Sequence, residues 1–259
     1  MKITSIQNPQ IKNLIRLREN KRYRQAKKLM LVEGWDEITL AIAAGQKPQT
    51  LIIAPELTAR NINAVPFETL TVNRTVFEKI SYRENPDGWL AVFPLPQNSL
   101  KNLKLSTDPL LVITESIEKP GNLGAILRTA DASGVDALLV CDQKVDIYNP
   151  NVVRASRGTL FTVPTLVITN EEALSFLHDH KIKVIATTPH TETEYTDLDL
   201  RGPLALVVGS ENEGLTDFWL GQADFKVKIP MHGKVNSLNV SIATALIVYE
   251  ALRQRNSQD

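Results

Sequence analysis

Cysteine is almost missing from this chain, with Cys141 alone among 259 residues. A single thiol closes no internal disulfide, so a reducing, cytoplasmic setting is expected. Cys141 ends the apolar run Ala137-Leu-Leu-Val-Cys141, where a small buried thiol fits better than a nucleophile. Long hydrophobic runs are missing too. Nothing approaches the roughly 18 residues that span a bilayer, so no membrane partner is expected. Lys2, Gln7, Asn8 and Pro9 interrupt the first residues, which therefore lack the core of a signal peptide. Internal repeats and low-complexity tracts are absent, and nothing in the composition suggests disorder.

What is present is enough apolar content, 43% of the chain, to bury a sizeable core, most simply in two domains. The net charge is zero but unevenly distributed. Residues 1–30 carry nine basic side chains (Lys2, Lys12, Arg16, Arg18, Lys21, Arg22, Arg24, Lys27, Lys28) against Glu19, a net +8, so the remainder sums to −8. A solvated helix face is the simple reading of a charge run. One-sidedness adds a second reading, a surface for a polyanion.

Helical spacing marks 8–19, and short strands are expected at 29–33, 50–54 and 89–93, with helices at 35–44 and 75–80. The proline-bearing stretch 94–109 reads as a boundary. The expected division is a small α/β unit at 1–95, a linker at 96–109 and a second unit at 110–259. In the second unit, strands at 110–114, 137–141, 184–187, 204–208 and 225–229 alternate with helices at 122–133, 171–180 and 237–255. Apolar, β-branched runs without alternation suit strands covered on both faces, hence a mostly parallel sheet flanked by helices.

Three polar, glycine-bearing turns stand out in that second unit. The first, Glu115 to Arg128, turns through Pro120 and Gly121 into a helix near Asn122. Such a turn offers backbone N–H groups to an anion, although for this segment alone an ordinary turn with a surface Arg is the favoured reading. Its glycines are three apart, so it is not the dinucleotide fingerprint. The second, Gly209-Ser-Glu-Asn-Glu-Gly214, follows a strand, where open α/β sheets place ligands. Its glycines permit close backbone approach. Glu211 and Glu213 have no His or Cys at ligand spacing, so no metal is expected. The third runs from Ile229 to Ala245 and sets Asn236, Ser237, Asn239 and Ser241 within six residues, more than a helix cap needs. Leu238, Ile242, Ala245, Leu246, Tyr249 and Leu252 then recur at helical spacing, as core or as a subunit interface.

Taken together, the three turns resemble the motifs of the SpoU (TrmH-type) branch of the SPOUT RNA methyltransferases. The matching residues are Asn122-x-Gly124-x-x-x-Arg128-Thr129, then Gly209-x-Glu211-x-x-Gly214-Leu215, then Ile229-Pro-Met-x-Gly233 with Ser237-Leu-Asn-Val-Ser241. Val32-Glu33-Gly34 and Asn85-Pro-Asp-Gly88 similarly resemble the small substrate-binding domain that precedes many such catalytic domains. The resemblance implies a knotted catalytic domain, an N-terminal RNA-binding domain and a homodimer. It also implies S-adenosylmethionine as cofactor, carried over to Gly209, Ile229, Met231 and Leu238, and 2′-O-methylation of ribosomal RNA, with transfer RNA as the other substrate. Arg128, Asn122, Glu211, Ser237 and Asn239 are the implied catalytic positions. A guanidinium keeps its proton up to a pKa above about 12, so a phosphate clamp suits Arg128 better than a base. Competing readings are an RNA-binding ribosome-assembly factor without catalysis and a nucleotide-binding Rossmann enzyme, the latter without its glycine fingerprint.

Overall fold

Asn8, Asn20 and Asn73 each accept a hydrogen bond from a backbone N–H of the turn that follows. Each starts a helix. The computed structural model describes residues 2–60 and 66–257. In its first part, β1 (Lys2–Ile3), α1 (Pro9–Glu19), α2 (Lys21–Lys27), β2 (Leu29–Glu33) and α3 (Trp35–Ala43) lead to β3 (Thr50–Ile53), β4 (Thr69–Val72), α4 (Arg74–Ile80) and β5 (Trp89–Pro94). The sheet order is β1-β4-β3-β5-β2. Its β5 pairs antiparallel with both neighbours, and the other ladders are parallel. Ile11, Leu14 and Leu17 of α1 pack with Val76, Phe77 and Ile80 of α4 over Leu31 and Ile52. The helical spacing in the sequence predicts this face.

The second unit is built on β6 (Leu110–Glu115), α5 (Pro120–Ser133), β7 (Ala137–Cys141), β8 (Thr165–Val167), α7 (Asn170–Asp179), β9 (Lys183–Thr187), β10 (Leu204–Val208), α8 (Asp217–Gln222), β11 (Phe225–Val227) and α9 (Val240–Asn256). Six strands in the order β11-β9-β10-β6-β7-β8 form this sheet, and every ladder is parallel. Central β10 runs in register with β6 from Leu204 opposite Leu110 to Val208 opposite Thr114. Both are buried along their whole length, as unalternating apolar runs require. Trp219 fills the core beside Leu139, Phe176 and Leu177, and its indole N–H donates to Asn170 Oδ1 at 2.9 Å, which satisfies this buried donor.

Several element ends shift by one to three residues, two of them around the third turn. The last helix begins at Val240, not 237, because Asn239 caps it, and β11 ends at Val227 rather than 229. A further difference concerns the division of the chain. The compact units are Met1–Gln97 with Asp146–Thr162, and Asn98–Val145 with Val163–Asp259. Residues 146–162, read from sequence as part of the second unit, therefore belong to the first. There α6 (Pro150–Ala155) packs on β2. Arg24 explains the attachment. It is almost fully buried, pairs with Asp146 at 2.5 Å, and donates to Leu17 O and Arg18 O at 2.6 and 2.9 Å.

Candidate active site

Asn122 lies buried in the first turn of α5 and joins two other turns through one amide. Its Nδ2 donates to Glu211 Oε1, and its Oδ1 accepts from Asn239 Nδ2 at 3.1 Å. Asn239 Oδ1 is already engaged, accepting from Ser241 N at 2.9 Å and Ser241 Oγ at 2.7 Å. The cap of α9 thus decides which end of Asn239 faces Asn122. That in turn leaves Asn122 with its donor end for the Glu211 carboxylate. Residues 89 and 117 positions away from Asn122 in the chain meet it directly.

Glu211 also lines a cavity of about 430 Å³. Its wall comes from the carboxyl ends of β9 and β10 at Thr187 and Gly209, from the segment after β11 at Ile229 and Met231, and from Ser237 and Leu238 ahead of α9. The second and third turns line it directly, and the first reaches it through the Asn122–Glu211 hydrogen bond. The place matches the rule that open parallel sheets bind ligands outside their strand carboxyl ends. Gly209 has a different reason to be glycine than ligand approach. A Cβ there would overlap Gly214 O and C, because Ser210 and Gly214 exchange backbone hydrogen bonds at 3.1 Å. Gly214 closes that small loop at φ +71°, where side chains are disfavoured.

Comparison with known proteins agrees with this geometry. The profile of the SpoU rRNA Methylase family matches residues 109–249, and that of the MRM3-like substrate binding domain matches residues 8–91. The chain is 32% identical to a 23S rRNA (uridine(2479)-2′-O)-methyltransferase of Streptomyces viridochromogenes, over 92% of this chain and 86% of the other. The chain belongs to the SpoU rRNA Methylase family. Among solved structures, it is similar to the SpoU methyltransferase AviRb of S. viridochromogenes in complex with AdoMet, at 30% identity and a TM-score of 0.89, covering 96% of this chain and 100% of that one. An RNA 2′-O ribose methyltransferase crystal structure is 41% identical with a TM-score of 0.88, covering 99% and 100%.

In this SpoU chain the five sequence-derived catalytic positions do not all meet. Asn122, Glu211 and Asn239 are hydrogen-bonded to one another, and Ser237 lines the cavity. Arg128 stands apart. Six residues turn a helix by about 600° and advance it by about 9 Å, so Arg128 leaves α5 roughly 120° away from Asn122. It is exposed, as a group reserved for an external anion would be. Glu213 is exposed and also lines the cavity.

Glu115 was not singled out as a site residue. Buried at the end of β6, it accepts from Asn170 Nδ2 at 2.9 Å and from both Thr216 N and Thr216 Oγ1 at 2.8 Å. Thr216 follows Gly214-Leu215, so this carboxylate anchors the far end of the Glu211 loop. The only trace in sequence is an acid closing an otherwise apolar strand. Cys141 is buried, as expected, and burial and then the nearby Glu115 charge push its thiol up to about 12. Among the described residues, no cluster of three or more His, Cys, Asp or Glu could hold a metal ion. No helix there is long and apolar enough to cross a membrane.

The basic N-terminal segment is less uniform than its sequence suggests. Arg24 is buried on Asp146, and Arg18 is largely covered while it donates to Lys79 O and Ser81 O at 2.8 and 2.7 Å. Lys12, Arg16, Lys21, Arg22, Lys27 and Lys28 remain exposed. Two of the nine charges are structural, then, and six face solvent on α1, on α2 and at the residue ending α2.

Proposed function

We propose that this chain uses S-adenosylmethionine to methylate a ribose 2′-hydroxyl of ribosomal RNA, acting in the cytoplasm as a homodimer with a trefoil-knotted catalytic unit. One observation carries the reading: the Asn239–Asn122–Glu211 hydrogen bonds draw three separate turns together, with Glu211 at the wall of a cavity. The cavity suits the cofactor. Its volume lies in the range of small-molecule sites, and Leu215, Ile229 and Leu238 provide apolar surface for a heteroaromatic ring while Thr187 and Ser237 provide hydroxyls for a ribose. Gly209, Ile229, Met231 and Leu238 would hold the adenosine part. When bound, the cofactor would supply an electrophilic methyl carbon, with the sulfonium sulfur as leaving group, and the ribose hydroxyl would give its proton to solvent as the new C–O bond forms.

The chain's own task is orientation. Asn122 and Asn239 fix the position of Glu211 at the cavity wall. Arg128 holds an RNA phosphate, because a guanidinium with a pKa above about 12 is a poor proton acceptor and a good phosphate fork. The exposed cations of α1 and α2 draw the RNA backbone. Along α9, Ile242, Leu246 and Tyr249 are exposed in the single chain while Val240, Ile247 and Val248 are buried. That outward apolar stripe supports a second copy as its cover.

The test is a map of 2′-O-methylated positions in ribosomal and transfer RNA from cells with and without the gene. One ribosomal position should lose its methyl group in the deletion strain and regain it with the wild-type gene. A lost transfer RNA position instead would overturn the ribosomal assignment. Titration calorimetry with S-adenosylmethionine separates the non-catalytic assembly-factor reading, which requires no binding heat.

A further inference from the structure

Tyr82 presents an aromatic ring to solvent on an unusually well-fastened backbone. The residue is 45% exposed, yet its own N–H donates to the buried Glu33 carboxylate at 2.7 Å, and the preceding Ser81 hydroxyl donates to the same carboxylate. Arg18 reaches from α1 to the carbonyls of Lys79 and Ser81. On the other side, Arg83 pairs with Glu37 at 2.6 Å and donates to Glu33 O at 3.0 Å. Charged groups thus immobilise the residues on both sides of Tyr82, and none of these bonds involves its ring.

The surroundings of the ring are cationic. Arg154 of α6 places its guanidinium carbon 5.7 Å from the ring centroid. Its Nη2 donates to the neutral Asn151 Oδ1 at 2.9 Å, so the charge is steadied by an amide. The Arg18 bonds tie the basic helix α1 to the same loop. A rigid exposed ring next to an arginine is the arrangement that takes a flat heteroaromatic group attached to a phosphate. In structured RNA those groups become available where bases leave the stack, in loops and bulges.

We infer that Tyr82 is a stacking platform for one unpaired base of the RNA substrate, with Arg154 holding the phosphate beside it. This rests on the RNA reading above and adds the place where a base is taken by the first unit. A pre-set ring loses little freedom on binding, so its fastened backbone contributes directly to affinity.

The experiment uses the full chain and two fluorescein-labelled probes, an RNA stem-loop with a seven-base unpaired loop and a fully paired RNA duplex of equal length. Anisotropy titrations compare wild type with Tyr82→Ala, Tyr82→Trp and Arg154→Gln. Wild type should prefer the stem-loop. Tyr82→Ala should weaken stem-loop binding about 5- to 150-fold, the loss from one base–aromatic stack, with duplex binding unchanged. Tyr82→Trp should restore it, and Arg154→Gln should lower the salt slope by about one. S-adenosylmethionine affinity and melting temperature should be the same in all four proteins. Stem-loop binding by Tyr82→Ala within two-fold of wild type, or an equal loss on both probes, would overturn the platform while leaving the RNA reading intact. Failure of wild type to bind either probe would overturn the RNA reading, and the platform with it.

Discussion

Asn239 performs two tasks with one amide. Its oxygen caps α9 and its nitrogen addresses Asn122, so the substitution Asn239→Asp separates them. An aspartate still caps, so the helix start itself should lose little stability. Its second oxygen, however, has no proton for Asn122 Oδ1. Asn122 must then turn over and point its carbonyl at Glu211. A lost buried hydrogen bond near a charge costs about 1–3 kcal/mol of stability, and a Glu211 no longer held by Asn122 should lower kcat roughly 10- to 100-fold. Unchanged turnover would show that the polarity of this chain is irrelevant. Arg128→Ala should behave differently, keeping S-adenosylmethionine affinity by calorimetry and losing methyl transfer. Near-wild-type turnover by that variant would remove Arg128 from the reaction. Cys141, with its thiol held neutral to about pH 12, should resist iodoacetamide at pH 8 in the native protein and react only after unfolding, as mass spectrometry would record. At this scale, the motif residues were legible because surplus Asn, Ser and Glu at turns have little structural use. Which of them touch one another was not, since side-chain contacts across 89 and 117 positions leave no local trace.

Helices and strands divide by how far their reason to exist lies from themselves. The β-branched runs that became β6, β7, β9 and β10 were legible, since burial on both faces demands just that composition. The short elements β1, β4, β8, α2, α6 and α8 escaped. Each is seven residues or fewer, and the strands among them are fixed by partners rather than by pattern. The placement of α6 is the sharpest case. Arg24 looked like one more solvated cation and is instead the buried partner of a residue 122 positions on. Arg24→Met should therefore destabilise the first unit by about 3–5 kcal/mol, because Asp146 is left charged and unpaired. Urea unfolding would measure it. Pairing that change with Asp146→Leu should return most of the loss, whereas an additive double variant would mean the two residues are not coupled.

For the whole molecule, the proposed homodimer rests on the outward stripe of α9. Ile242 and Tyr249 are each at least half exposed, so Ile242→Glu with Tyr249→Glu should leave the single chain folded. Sedimentation should then show a monomer where wild type sediments as a dimer, and methyl transfer should fall with it. A variant that still sediments as a dimer would place the interface elsewhere.

The hydrogen-bonded trio also has a consequence for synthesis. Its members stand at 122, 211 and 239, and the central strand β10 cannot join β6 until residue 208 has been made. A polypeptide released before residue 239 therefore lacks the amide that orients Asn122, however many of its strands have been made.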